Sequence, residues 1–222
     1  MGTLYLVRHG QASLGAADYD NLSALGQRQS ERLGAYFLQQ GLVFNSVWTG
    51  TLKRQQQTLD GIAKGMGTRW APHTDTAWNE YDSAALLATL QTTLASPTSS
   101  SEAYRRYFQS LRDALRGWMD GVLSPEGMPS YSGFRNAILG ALTAIQTQAH
   151  QRVLVVSSGG PIATAAGAVL RTTPETTIEL NLQLRNTALT QVHVGRQKLA
   201  LVSFNEIPHL ANSAPGEWVT HA

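Results

Sequence analysis

The chain has 222 residues, 42% of them hydrophobic and only 14% charged, with 17 Lys and Arg against 15 Asp and Glu for a formal charge of +2. That length suits one compact α/β domain with an insertion, or two small domains, and is ample for a sizeable apolar core. The near-balance of charge argues against an extended nucleic-acid groove, and zero cysteines exclude a disulfide framework, a thiol nucleophile, iron–sulfur ligation and thiolate zinc sites.

Residues 4–7 form the first apolar run, which is too short to cross a membrane, and no basic leader or small-residue cleavage site accompanies it. Leu6 stands where a myristoylation signal at Gly2 would need Ser or Thr. A cytoplasmic protein without membrane contact is expected. Residues 4–7, 43–48 and 153–156 each end in a polar or Gly-rich turn that leads to a helical pattern, which predicts parallel strands covered by helices with ligands at the strands' carboxyl ends. Ser23 is positioned to N-cap a helix running to about residue 40, with Leu33 and Phe37 on one face and Gly41 as its stop. A second helix over about 52–64 points Leu52, Leu59 and Ile62 inward, and a third over about 133–149 repeats Phe134, Ile138, Ala141, Leu142 and Ile145. Segments 188–194 and 198–204 flank Gly195 and Arg196 and predict a terminal hairpin.

From about 81 to 132 the rhythm changes to two helical stretches joined by the polar linker 96–101. The second stretch sets Tyr104, Phe108, Leu111, Leu115 and Trp118 at steps of three and four under Ser101 as N-cap. It reads as a small helical cap inserted into a single domain spanning 1–222, although the same pattern serves a core-packing helix. The fold expected is a three-layer α/β/α sandwich around a mostly parallel sheet.

Chemistry concentrates after the first strand. Arg8-His9-Gly10 puts a guanidinium and an imidazole at a strand's carboxyl end, where a neutral imidazole with one nitrogen held can attack phosphorus while the arginine offsets phosphate charge. By itself so short a string fits a surface turn equally well.

Leu6-Val7-Arg8-His9-Gly10, however, resembles the opening motif of the histidine phosphatase, or phosphoglycerate-mutase-like, superfamily. The resemblance continues through residues 21–29, residues 47–54 with Thr58 four positions beyond Arg54, Trp78-Asn79-Glu80, residues 153–162 and residues 205–210. It implies His9 as the phosphorylated nucleophile, Arg8 and Arg54 as a phosphate clamp, and Glu80 as proton donor, with no cofactor or metal and a small phosphorylated metabolite as partner. A carboxyl in that role needs a raised pKa, which a water-excluding cap supplies. Taken singly, Arg54 also reads as a solvated helix residue and Glu80 as a loop carboxylate.

Two positions depart from the family pattern. Ser158 occupies the place of the family's second histidine, exchanging a charge-assisted donor for a neutral hydroxyl, while Gly159 and Gly160 leave backbone N–H groups to face an anion and Pro161 suits a first helical turn. Gly15 falls where many mutase-like members carry asparagine, leaving Gln11 and Ser13 as weak candidates for that contact. Among His73, His150, His193, His209 and His221 no pair has metal-ligand spacing, and all read as surface residues, with His209 the one to watch. The leading expectation is a metal-independent phosphomonoesterase. The alternatives are a phospho-ligand-binding or regulatory protein impaired by Ser158, a mutase-type phosphotransferase, and a nucleotide-binding Rossmann module. The last lacks the Gly-rich first turn and its distal acid.

Overall fold

The computed structural model describes residues 2–13, 19–90, 100–147, 152–196, 198–211 and 217–221. Its centre is a six-stranded sheet made of β1 (Gly2–Arg8), β2 (Ser46–Thr49), β3 (His73–Thr74), β4 (Arg152–Ser157), β5 (Leu189–Val194) and β6 (Leu199–Glu206), in the order β3-β2-β4-β1-β5-β6. The β3, β2, β4 and β1 strands run parallel, whereas β5 pairs antiparallel with both β1 and β6. The sheet is therefore mostly parallel, as the alternation of runs and helices predicts.

Alternation along β1 explains the layers. Leu4 and Leu6 join one buried cluster with Val153, Val155, Ile138, Ile145 and Ile162, under helices α5 (Tyr131–Gln146) and α6 (Gly159–Leu170). Tyr5 and Val7 face the opposite side and pack with Leu33, Phe37, Leu59 and Ile62 of α1 (Ala24–Gln39) and α2 (Lys53–Met66). A strand covered on both faces by helices needs apolar side chains in both phases, which is why these segments read as continuous apolar runs.

Helix ends follow local chemistry. Ser23 accepts from the Gly26 N–H to cap α1, and α2 stops at Gly67 in the left-handed conformation with φ of 66°. A third apolar cluster joins α3 (Ser83–Ala88), α4 (Ser101–Met119) and α7 (Pro174–Gln183) through Leu86, Leu111, Leu115, Trp118 and Ile178.

Three sequence expectations need correction. The second strand begins at Ser46 rather than 43: Val43 is exposed and Leu42 still bonds back to the Phe37 carbonyl of the preceding helix. Ser100, not Ser101, caps α4, because its side chain is the one that accepts from Ala103 N–H. Helix α7 was not anticipated, although Thr173 as cap, Pro174 at the first turn and Glu175 beside it are an N-terminal signature. Linker positions 96–99, His150, Gly15 and the expected helix end at 149 lie outside the described residues.

Phe37 is fully buried and meets Phe44 and Tyr5 edge-on at centroid distances of 5.1 and 6.4 Å. Phe37→Ala leaves a cavity between α1 and the sheet and is expected to cost about 3–5 kcal/mol, against less than about 1.5 kcal/mol for the better-filling Phe37→Leu. Urea unfolding of the two variants checks this; equal losses would refute the packing described.

Candidate active site

The carboxyl end of β1 delivers Arg8 and His9 to a pocket of about 460 Å³, to which α2 contributes Arg54 and the segment after the 3-10 turn Thr76–Trp78 contributes Glu80. These four residues, drawn from three separate segments of the sequence, line one cavity together. The backbone of His9 is held on both sides: its N–H donates to the Ser157 carbonyl at 2.9 Å and its carbonyl accepts from Asn186 Nδ2 at 3.1 Å. Gly10 N–H donates to Thr58 Oγ1 at 2.9 Å, and that hydroxyl donates to the Arg54 carbonyl at 2.7 Å. Thr58 thus ties the strand that carries the imidazole to the helix that carries the arginine. A side chain at Gly10 would meet the Gly26 carbonyl oxygen at 2.5 Å, so only glycine lets the loop pass so close to α1.

The His9 tautomer follows from its neighbours. Nδ1 lies 2.8 Å from the Gly10 carbonyl, which can only accept, so Nδ1 carries the hydrogen and Nε2 presents a lone pair. Arg54 Nε donates to that nitrogen at 3.2 Å. Burial, reinforced by Arg8 and Arg54, holds the imidazole well below its ordinary pKa and keeps it neutral.

Both arginines are anchored. Arg54 Nη1 pairs with Asp20 Oδ1 at 2.6 Å and its guanidinium lies 5.5 Å from the Tyr19 ring centre. Arg8 Nη1 donates to the Leu184 and His221 carbonyls, while its Nε is buried with no partner among the described residues.

Glu80 sits against the start of α6. Gly160 N–H donates to both of its carboxylate oxygens, at 3.0 and 3.2 Å, and Tyr81 N–H adds a 3.2 Å bond. Desolvation pushes the carboxyl upward against these bonds and the two arginines, leaving its pKa raised. A Cβ at Gly160 would lie 2.2 Å from Glu80 Oε1 and 2.6 Å from the Tyr81 ring. The Gly160 N–H is therefore engaged by the protein's own acid, not left facing a ligand as the sequence suggested.

The other sequence candidates are absent from the lining of this cavity. Ser158 is fully buried and its Oγ accepts from Gln55 Nε2 at 2.8 Å; Gly159 lies against Asn181 and Glu80. The Gln11 side chain accepts from Ser23 Oγ, and Ser13 N–H bonds the Asn21 carbonyl. His209 is buried, not on the surface, with Nε2 2.9 Å from Thr187 Oγ1. His221 lines the pocket itself. Sequence reasoning missed Asp20, Tyr81, Asn181 and His221; of these only Tyr81, adjoining the acid, carried a positional signal. Trp78, which precedes this acid by two positions, is fully buried in the core.

Among the described residues no group of three His, Asp or Glu is placed to hold a metal ion, and no helix is long and apolar enough to cross a membrane.

The family model for the histidine phosphatase superfamily (branch 1) matches residues 4–207. The chain belongs to that superfamily. A 2,3-bisphosphoglycerate-dependent phosphoglycerate mutase 2 from Latilactobacillus sakei is 31% identical over 80 residues, which span 33% of this chain and 35% of the mutase. Phosphoserine phosphatase from Entamoeba histolytica, solved with 3-phosphoglyceric acid, superposes with a TM-score of 0.68 at 21% identity, covering 95% of this chain and all of the other. Phosphoglycerate mutase from Bacillus anthracis gives a TM-score of 0.66 at 17% identity over 94% and 95% of the two chains. These structural likenesses establish the α/β fold, and the neighbours are phosphatases or mutases.

Buried imidazoles make stability depend on pH. Burial pulls His209 from 6.5 down to about 3, and His9 is lowered as well. Unfolded chains take up these protons near 6.5 and the folded protein does not, so stability is full above 6.5 and drains away as pH falls toward 3. Each such imidazole contributes a slope of up to about 1.4 kcal/mol per pH unit. Urea midpoints followed from about pH 7 to about pH 4 should fall less steeply in His209→Gln than in the wild type; identical slopes would refute this.

Proposed function

We propose that the protein is a metal-independent phosphomonoester hydrolase that works through a phosphohistidine at His9 and acts on a small phosphorylated metabolite. The observation that carries this reading is the fixed tautomer of His9: its Nδ1–H is held by the Gly10 carbonyl, and its Nε2 lone pair faces the cavity's arginine. When a phosphate dianion enters, Arg8 and Arg54 turn their guanidiniums to its equatorial oxygens and Nε2 is released for in-line attack. The N–P bond forms as the ester P–O bond breaks, and the Glu80 proton passes to the departing oxygen. Water then attacks the phosphorus, loses its proton to the Glu80 carboxylate, and returns the lone pair to His9.

Raised Glu80 and lowered His9 pKa values support this cycle, because the acid must start protonated and the nucleophile unprotonated. Ser158 brings no charge, so the electrostatic load falls on the two arginines. The α3 and α4 helices serve as the cap in this reading. Passing the phosphoryl group to a second hydroxyl in place of water would give a mutase, and a pocket that retained ligand without turnover would give a phospho-ligand-binding protein. Phosphate release separates both from hydrolysis.

His9→Ala should abolish both phosphate release and an acid-labile phosphoprotein, with the wild-type rate insensitive to EDTA. Unchanged turnover in His9→Ala, or loss of activity on EDTA dialysis that added metal restores, would overturn the mechanism. Glu80→Gln removes the proton donor, with an expected loss of roughly a hundredfold on alkyl phosphates and much less on p-nitrophenyl phosphate, whose leaving oxygen needs no proton. The wild-type kcat should fall as pH rises through the raised Glu80 pKa, and that alkaline limb should vanish in Glu80→Gln. Gly160→Ala, which must displace the carboxylate, should reproduce the same dependence on leaving group.

A further inference from the structure

The pocket is far larger than phosphate requires, and its two ends differ in chemistry. His9 and Arg54 are buried at one end, with the Tyr19 ring 5.5 Å from the Arg54 guanidinium, whereas Tyr104 is 45% exposed at the other. Tyr104, Tyr107, Phe108 and Leu111 of α4 follow one another at steps of three, one and three and line that outer end. Their rings pack together, with Tyr104 and Phe108 centroids 4.5 Å apart and tilted by 46°, and Tyr107 edge-on to Phe108 at 5.4 Å. Large aromatic side chains left accessible in a cavity offer a platform for a flat apolar group.

Charge narrows the choice further. Among the described residues, Arg8 and Arg54 are the only Lys or Arg lining the pocket, and the positions outside the description contain neither residue type. His221, the remaining basic group besides His9, is held toward its neutral form by burial and by Arg8 and Arg185. The other charged residues of the lining are Glu80 and Asp82. Once a phosphate has taken the two guanidiniums, a carboxylate or second phosphate on the substrate meets tyrosines and acids with no cation to receive it. Asp82 does not invite a cation either, since its Oδ1 already accepts from Ala84 and Ala85 N–H to cap α3.

We infer that the leaving group is an uncharged, ring-bearing alcohol, stacked on the Tyr104, Tyr107 and Phe108 face of α4. This rests on the hydrolase reading above and excludes phosphoglycerates and phosphoserine as preferred substrates. The phosphomonoester reacts with water, its P–O bond breaking to give the free alcohol and inorganic phosphate.

Two measurements on the full chain decide it. The first is kcat/KM on 2-naphthylmethyl phosphate, ethyl phosphate, 3-phosphoglycerate, phosphoserine and phosphocholine, all alkyl esters. The naphthylmethyl ester should exceed each of the others at least tenfold, and Phe108→Ala should shrink the naphthylmethyl-to-ethyl ratio at least fivefold, a ratio independent of how much variant is folded. Parity with the charged esters, or preference for phosphocholine, would overturn the inference while leaving the hydrolase intact. The second is calorimetric binding of 2-naphthylmethylphosphonate against 3-phosphonopropionate, which needs no turnover. Tighter binding of the aromatic phosphonate by at least tenfold supports the inference even if no ester is hydrolysed, which would sink the hydrolase reading alone. Equal or reversed affinities overturn it.

Discussion

The hydroxyl of Thr58 is the joint on which the site depends. It receives the Gly10 N–H and gives its own proton to the Arg54 carbonyl, so one buried side chain sets the distance between the strand bearing the imidazole and the helix bearing the guanidinium. A buried hydrogen bond of this type is worth only about 1 kcal/mol net, yet leaving either partner unmatched costs about 1–3 kcal/mol. The geometry is enforced by that asymmetry more than by the strength of the bonds. The close pass of Gly10 over the Gly26 carbonyl removes the room in which the loop would otherwise relax.

The same burial acts on two titratable groups in opposite chemical senses. Desolvation disfavours charge, so it lowers the pKa of His9 and raises that of Glu80. The arginines reinforce the first effect and oppose the second, and the Gly160 N–H also opposes the second; burial still prevails at Glu80. Opposite unit charges about 4 Å apart interact by roughly 4 kcal/mol at an effective dielectric near 20, whereas a neutral hydroxyl bond contributes about 1 kcal/mol net. On that scale a guanidinium outweighs a neutral hydroxyl several-fold.

Much of the fold was legible because it rests on short-range rules. The two-phase apolar content of residues 4–7 and 153–156, the Ser23 cap and the Gly41 stop each depend on a few neighbouring residues, and each structural element follows from them. The failures are of two kinds. Val43 and Ser101 are local ambiguities, where a neighbouring residue satisfied the same rule better. The Asp20 partner of Arg54 and the presence of Asn181 and His221 in the pocket are tertiary facts: Arg8 reaches a carbonyl 213 positions away, and no periodicity encodes such a meeting. Glu80 was legible only through family resemblance, since a lone loop carboxylate has no pattern of its own.

Helix α4 shows why periodicity alone could not assign its role. Leu111, Ala114, Leu115 and Trp118 bury against α3 and α7, while one and two turns toward the N-terminus the half-buried Tyr107 and Phe108 and the exposed Tyr104 continue nearly the same stripe along the cavity wall. A hydrophobic stripe marks what a helix face avoids, which is water, and not what eventually covers it. The C-terminal half is covered by protein. At the N-terminal half the protein stops short, and tyrosine replaces leucine, retaining apolar area while tolerating exposure at its hydroxyl edge. The change in residue type along one stripe, more than the stripe itself, distinguishes a wall built for the core from a wall built for a ligand.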